Sequence, residues 1–492
     1  MQTNNRELNW KKGQADRVKL ILICTGIFVL NFVLKLLFLD SHDIALDEPF
    51  TLFQAQKSFS GIFEMLKEEN NPPLYFLFMK VWTALFGIGA FAARLPSCIF
   101  SSAAAVLIFL TGHRFLNIRT GLIACLFFSF SSMHMYYAHD ARVYSLFFLL
   151  AVSSVYYFLD LFIDSRSNKL LVFLTLINFL LLYSHFFGIV FVLTEFACVF
   201  IVPQLRRTIL KKILISNSFL LLAFLPYLPV LFHRYSSSSV NPQWIPAPLL
   251  SDLYTMLWRF SNAPVLTVVM AILLLVFVIL SFRKNGSESG TNKTITRTLI
   301  LFFFIPYIGI FLFSFHTPLF LDRYIIFTSF FYYMMVASSV EHLTQKNKVG
   351  YAMMFVLPLS MAFTLNLNPD KKRNVKELVE KIRPMLNEKS LVYIYPDYFD
   401  LNFTYYYNSD WFKQPEKLHS LLSSQRIFPI MQAEHVDSTL LQQYNDIYLI
   451  GASGEASSSC NGIYERLQHF LSEKEISVFY EHLYLVHFTR KK

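Results

Sequence analysis

Charge is scarce in this chain. Only 15% of its 492 residues are Asp, Glu, Lys or Arg, against about 25% in soluble domains, and that shortage excludes an ordinary water-soluble globule. Cysteine is scarce too. Cys24, Cys98, Cys125 and Cys198 lie inside apolar runs and Cys460 near the end, with no CxxC pair, so neither a zinc cluster nor a disulfide framework is indicated. The Ser/Gly-rich stretch from Gly451 to Gly462 reads as a flexible loop and lacks the spacing of a Walker or dinucleotide phosphate loop. No small-residue cleavage site follows the first apolar run, Leu20 to about Leu39, and that run exceeds the roughly 7–15 residues of a signal-peptide core. It reads as an uncleaved first helix. An internal repeat of the kind many transporters carry is also missing.

What the chain has in quantity is apolar and aromatic surface: 54% hydrophobic residues, with 53 Phe and 26 Tyr. The sequence predicts a polytopic α-helical membrane protein. A span needs about 20 mostly apolar residues, which gives eleven candidates, at 20–39, 95–112, 120–138, 143–161, 170–184, 188–202, 213–232, 264–282, 298–314, 325–341 and 349–365. The segment 73–87 opens on Pro72-Pro73 and carries Lys80. Excluding it as a span places Arg114 and Arg119, Arg166 and Lys169, Arg206 to Lys212, Arg283 to Arg297, and Lys346 and Lys348 on one side, together with the basic N-terminus. The positive-inside rule makes that side cytoplasmic. The segment 73–87 then reads as a juxtamembrane or re-entrant helix on the outer side, and the net charge of +10 reads as orientation, without nucleic-acid binding.

The same parity gathers residues 40–94, the turns at His139–Arg142 and Tyr183–His185, the loop 233–263, the loop His316–Tyr324 and everything after Asn366 on the extracytoplasmic face. Loops distant in sequence can then share one cavity there. Composition turns soluble-like near residue 366, so the chain reads as a membrane domain, 1–365, followed by an extracytoplasmic α/β domain, 366–492. In the latter, Val375, Leu378, Val379 and Ile382 recur at helical spacing, while Leu391–Tyr395, Asp446–Ile450 and Ser477–Tyr480, continuing toward Val486, read as strands.

The candidate chemistry begins with the adjacent carboxylates Asp47 and Glu48, where the first helix meets water. An acid there can take a proton from a hydroxyl acceptor; acidic residues are also ordinary in a solvated helix-end loop. Asn71, the two prolines and Tyr75 can wall a pocket or simply start a helix. Lys80 and Arg94 can meet a phosphate or snorkel to the headgroups. Asp140 and Arg142 sit between two apolar runs with almost no loop, where an ionised group in lipid would cost about 2.5–3.5 kcal/mol, so they must face protein or water, as an ion pair or as a site. His185 and the pair Arg323-Tyr324 repeat that placement.

In this order, Leu46-Asp47-Glu48-Pro49-Phe50, Asn71-Pro72-Pro73-Leu74-Tyr75-Phe76, Arg94-Leu95-Pro96-Ser97, His139-Asp140-Ala141-Arg142-Val143-Tyr144 and Arg323-Tyr324 resemble the GT-C superfamily of membrane glycosyltransferases. The resemblance is to its family 39-like branch of protein O-mannosyltransferases and lipid A aminoarabinose transferases. Asn71 departs from the pattern, many relatives having His there, and Asp140 stands where Glu is commoner. The resemblance implies a GT-C fold and transfer of a sugar, with inversion, from a polyprenyl-phosphate-linked donor to an acceptor hydroxyl on a protein, lipid or glycan. It also implies a bacterial inner-membrane location, since the C-terminal extension resembles that of bacterial relatives. On this reading Asp47 is the base, Glu48 orients hydroxyls, Arg142 and Arg323 hold the phosphate, and Asp140 positions Arg142 or a sugar hydroxyl. Tyr324 and Lys80 join the two arginines at the donor phosphate, and His185, Asn71 and Tyr75 support the site or bind substrate. No cofactor is required, although carboxylates with His185 could hold a divalent metal. A lipid or solute transporter and a polysaccharide polymerase or ligase are the alternative readings.

Overall fold

The computed structural model describes residues 2–67, 69, 71–230, 232, 245–282, 290–346, 348–369, 373–453, 462–480 and 482–491, the side chains of 2–15 excepted. Much of the expected loop 233–263, the basic residues Arg283 and Lys284, Cys460 and most of the Ser/Gly stretch therefore lie outside the described residues.

The chain divides into two units. The first comprises Met1–Phe38, Leu66–Tyr75 and Arg94–Pro369, and it is all helical. Its helices in chain order are α1 (Gln2–Leu36), then, after three shorter helices described below, α5 (Ala90–Phe115), α6 (Ile118–Ser129), α7 (Ser132–Ala138), α8 (Tyr144–Ile163), α9 (Asn168–Ser184), α10 (Phe187–Ile201), α11 (Pro203–Phe224), α12 (Leu250–Ser261), α13 (Pro264–Phe282), α14 (Gly290–Phe313), the single turn α15 (Asp322–Ile325), α16 (Thr328–Thr344) and α17 (Lys348–Phe363).

Among the described residues, six helices are long and apolar enough to cross a membrane, or seven if α6 and α7, bent by 63° at their junction, count as one. The sequence predicts eleven. The expected span 120–138 is this broken pair, with Phe130 and Ser131 between the helices and the Ser131 side chain accepting from His134 N–H. Helices α9, α10 and α17 are apolar but short; at 1.5 Å per residue, 15–17 residues reach about 25 Å, less than the roughly 30 Å of a hydrocarbon core. Helix α16 is buried on every face and packs against α6, α13, α14 and α17, so its apolar run serves protein packing.

Without a hydrophobic drive between helices in lipid, small residues and interhelical hydrogen bonds must hold the bundle together. Both devices are present. A Cβ on Gly112 of α5 would stand 2.3 Å from the Cα of Gly121 of α6, so these helices meet backbone to backbone and only glycine fits. Between α8, α9 and α10, the buried Glu195 carboxyl accepts from the Ser154 hydroxyl at 2.5 Å and from the Asn178 amide at 2.6 Å.

The second unit comprises Leu39–Met65, Phe76–Ala93 and Asp370–Lys492. It contains α2 (Glu48–Gln54), α3 (Phe59–Met65) and most of α4 (Leu74–Phe86), then α18 (Val375–Ile382), α19 (Asp400–Tyr407) and a five-stranded sheet. The strands β1 (Ser390–Tyr395), β2 (Ile427–Pro429), β3 (Asp446–Gly451), β4 (Leu471–Tyr480) and β5 (Leu483–Arg490) lie in the order β2-β1-β3-β5-β4. Strands β2, β1 and β3 are parallel, while β5 runs antiparallel to β3 and β4. Leu391, Tyr393, Ile447, Leu449, Val486 and Phe488 form its core together with Ile463 and Leu467 of the helix Ile463–Phe470. This is the small α/β unit the strand pattern predicts. The three-residue β2 escapes the pattern, and residues 477–480 close the longer β4. Helix α4, at 13 residues, spans about 20 Å.

Removing the Glu195 carboxyl leaves the Asn178 amide without its acceptor in the apolar bundle. Glu195→Ala is expected to lower unfolding free energy by roughly 1–2 kcal/mol, and Glu195→Gln by much less, in thermal melts of the full chain in detergent.

Candidate functional site

The sequence-predicted residues divide between the two units. In the first, the turn carrying Asp140 and Arg142 joins α7 to α8 and is pinned at its backbone. Ser97 Oγ donates to the Asp140 carbonyl at 2.6 Å, and Cys98 Sγ donates to the Ala138 carbonyl at 3.4 Å. His139 Nε2 donates to the Lys35 carbonyl at 2.9 Å, and Ser145 Oγ to the Tyr137 carbonyl at 2.9 Å. The motif residues near Arg94 and those near Asp140 therefore form one construction. Arg94, Asp140 and Arg142 are all buried.

His185 occupies the turn between α9 and α10, where its Nδ1 accepts from Phe187 N–H at 3.2 Å. Its ring centroid is 4.9 Å from that of Phe147, 6.0 Å from that of Tyr144 and 5.7 Å from that of Tyr324. Arg142 and Arg323 both lie within electrostatic reach of the same imidazole, and the Arg323 guanidinium sits 5.4 Å from the Tyr324 ring centroid. Thus Arg142, His185, Arg323 and Tyr324, drawn from four segments, surround one place. Two guanidiniums among aromatic rings form a site suited to a phosphate, which arginine can grip through paired N–H donors while the rings cover apolar atoms.

Sequence reasoning missed the frame of this cluster. Arg259 of α12 pairs with Asp322 at 2.8 Å, and Asp322 also bonds the Tyr137 hydroxyl and accepts from the Arg323 backbone N–H at 2.8 Å. Asp322 thereby fixes the turn from which Arg323 projects. The available signal is the adjacency Asp322-Arg323 beside a basic residue in the last turn of a preceding amphipathic helix. Asn71 is buried and donates from Nδ2 to Glu69 Oε1 at 3.0 Å, and Tyr75 is buried in the first turn of α4.

In the second unit, Asp47 is the N-cap of α2, with Pro49 in the first turn. Asp47 is exposed and Glu48 is buried. The preceding Leu46 has φ 59°, a left-handed conformation that costs a side-chain-bearing residue energy and persists only where its surroundings impose it. Lys80 Nζ donates to the Lys57 carbonyl and lies 5.2 Å from the Phe59 ring centroid, so it braces α4 against the start of α3. Among the described residues, no group of three or more His, Cys, Asp or Glu side chains is arranged to hold a metal ion.

Residues 70–233 match the family model described as dolichyl-phosphate-mannose-protein mannosyltransferase. In structure the chain is similar to ArnT from Cupriavidus metallidurans bound to undecaprenyl phosphate, with TM-score 0.57 and 12% identity over 95% of this chain and 97% of that one. It is also similar to apo ArnT from the same organism, with TM-score 0.58 and 13% identity over 97% and 98% of the two chains. The chain shares the fold of these ArnT structures. The family match is confined to residues 70–233, about a third of the chain, and the likeness to ArnT at 12–13% identity shows a shared fold. A third similar structure, the archaeal oligosaccharyltransferase AglB from Archaeoglobus fulgidus in complex with an inhibitory peptide and a dolichol-phosphate, has TM-score 0.51 and 9% identity over 87% of this chain and 69% of that one. No curated protein matches this chain in sequence.

Near the acidic loop, burial and the neighbouring Asp397 push the Asp400 carboxyl up to about 7, despite a backbone N–H from Leu401 that favours its charged form. A raised folded-state value means that the native state prefers the neutral acid. The corresponding stability is full below about 3.8 and is lost as pH rises through about 7, a swing on the order of 4 kcal/mol. Asp400→Asn is therefore expected to raise the melting temperature at pH 8 and to flatten the change between pH 5 and pH 8, measured on the full chain in detergent.

Proposed function

We propose that this protein is a GT-C glycosyltransferase, which transfers a sugar from a polyprenyl-phosphate-linked donor to an acceptor hydroxyl outside the cytoplasm, with inversion at the anomeric carbon. The observation that carries the reading is the cluster of Arg142 and Arg323 about His185 and Tyr324. Two guanidiniums beside aromatic rings can grip a phosphate through paired, charge-assisted N–H donors, and a lipid phosphate presents that group to a chain that resides in the membrane. Support comes from the similar structures, which are of ArnT with undecaprenyl phosphate and of AglB with a dolichol-phosphate.

The proposed chemistry follows from the residues. As the acceptor oxygen attacks the anomeric carbon, the bond from that carbon to the phosphate oxygen breaks and the polyprenyl phosphate departs with its electron pair. Arg142 and Arg323 take up the charge growing on that phosphate, so the leaving group needs no proton. Asp47 accepts the acceptor's hydroxyl proton, and Glu48 orients the acceptor or sugar hydroxyls. Asp140 positions Arg142 or a sugar hydroxyl, and Tyr324 and His185 line the donor site. Asn71, Tyr75 and Lys80 keep secondary parts in shaping the substrate region. The membrane residues 1–365 form the catalytic domain, with the N-terminus cytoplasmic, as the basic loops favour. Residues 366–492 face the extracytoplasmic side of a bacterial inner membrane. The sugar is a hexose such as mannose or a pentose, and the acceptor is a protein, lipid or glycan.

Membranes carrying the full chain and supplied with a lipid-linked sugar test the assignment. Asp47→Asn at wild-type protein level is expected to reduce transfer by about 10²–10⁴-fold, and retained turnover removes the proposed base. Arg142→Ala is expected to weaken use of the donor by roughly 10²-fold. Unchanged donor dependence rejects the phosphate clamp.

A further inference from the structure

The segment that carries Asp47 is built into the same unit as the C-terminal residues, and two of the hydrogen bonds that hold it fall on its backbone. Asp43 Oδ2 accepts from Lys376 N–H of α18 at 2.9 Å. The Tyr406 hydroxyl oxygen of α19 accepts from Ile44 N–H at 2.6 Å. Asn402 Nδ2, one turn earlier on α19, donates to the Leu46 carbonyl at 3.4 Å. The neighbouring Tyr405 hydroxyl donates to the Ile88 carbonyl at 2.7 Å, and Phe412 packs edge-on against Phe53 of α2 with ring centroids 5.4 Å apart.

These contacts bracket Leu46, whose left-handed φ of 59° needs an external constraint to persist. Ile44 is held before it and its own carbonyl is held after it. The direction in which the chain leaves Leu46 decides where the Asp47 carboxylate points. Backbone hydrogen bonds specify a path independently of the side chains along it, as a device for aiming a reactive group requires. At the other end of the same segment, the exposed Tyr398 lies within electrostatic reach of Asp47, Asp397 and Arg373, so C-terminal residues also border the carboxylate.

We propose that Tyr406 and Asn402 are positioning residues for the reaction: through Ile44 and Leu46 they hold the acidic loop so that the C-terminal domain is part of the catalytic assembly. The inference rests on the reading of Asp47 as the base. It assigns to the C-terminal domain a function in turnover itself, beyond any part in recognising the acceptor.

The test uses the full chain in membranes with a lipid-linked sugar donor, comparing wild type, Asp47→Asn, Tyr406→Phe, Asn402→Ala, and Tyr406→Phe combined with Asp47→Asn. Tyr406→Phe deletes only the accepting oxygen, and Asn402→Ala provides a second probe should the first reduce protein level. The expected result for either variant is a fall of roughly tenfold or more in kcat, with the donor KM within about twofold of wild type, because only an interaction serving the transition state is lost. In the combined variant no further loss is expected beyond Asp47→Asn alone, since two residues acting as one unit are not additive. Wild-type kcat in both variants while Asp47→Asn is inactive overturns the positioning proposal and leaves the base intact. Wild-type turnover in Asp47→Asn overturns the base reading first and the positioning proposal with it. A loss of kcat matched by an equal loss of donor binding indicates general disruption and also overturns it.

Discussion

A membrane bundle with so few charged residues must account for every cation it buries. Arg142 and Arg323 both converge on His185, in a region walled by Phe147, Tyr144 and Tyr324. Much of the surrounding structure consists of what such an arrangement demands. Asp322 is tied to Arg259 and Tyr137, fixing the turn from which Arg323 departs. Ser97 and Cys98 grip the carbonyls of Asp140 and Ala138, fixing the turn from which Arg142 departs. In the proposed reaction, guanidiniums fixed in this way supply preorganised charge, which is what stabilises a leaving phosphate most effectively.

The chain solves a second positioning problem in another way. An exposed carboxylate at a helix start is ordinary, and rotational freedom would make Asp47 a poor base. Here a left-handed Leu46 and hydrogen bonds from α19 to the backbone on either side define the path.

Much of this was legible in the sequence because it depends on composition and local order. Long apolar runs gave a polytopic helical protein, and the short apolar runs at Leu391–Tyr395 and Asp446–Ile450 gave the strands of the C-terminal sheet. The clustering of Arg142, His185, Arg323 and Tyr324 followed from placing their turns on one face. Other features depend on contacts between distant residues and leave no local trace. Protein surrounds α16 on nearly every face, which its apolar composition alone does not announce. The run 120–138 reads as one span, yet Ser131 caps a new helix within it. Lys80 reads as a cation for headgroups or phosphate, but its bond goes to the carbonyl of Lys57, which sequence spacing does not reveal. The bonds of α19 to residues 44 and 46 use backbone atoms, so no side-chain pattern marks them.

Direct binding of a polyprenyl phosphate, without any sugar, to the full chain in nanodiscs is the most direct measurement of the central claim. Wild type is predicted to bind it saturably, and Arg142→Ala combined with Arg323→Ala to bind at least about tenfold more weakly, since charge-assisted contacts contribute roughly 1.5–3 kcal/mol each. Equal affinity in a correctly folded double variant would show that these arginines do not hold the lipid phosphate, and the account of this chain as a lipid-phosphate-dependent sugar transferase would lose its foundation.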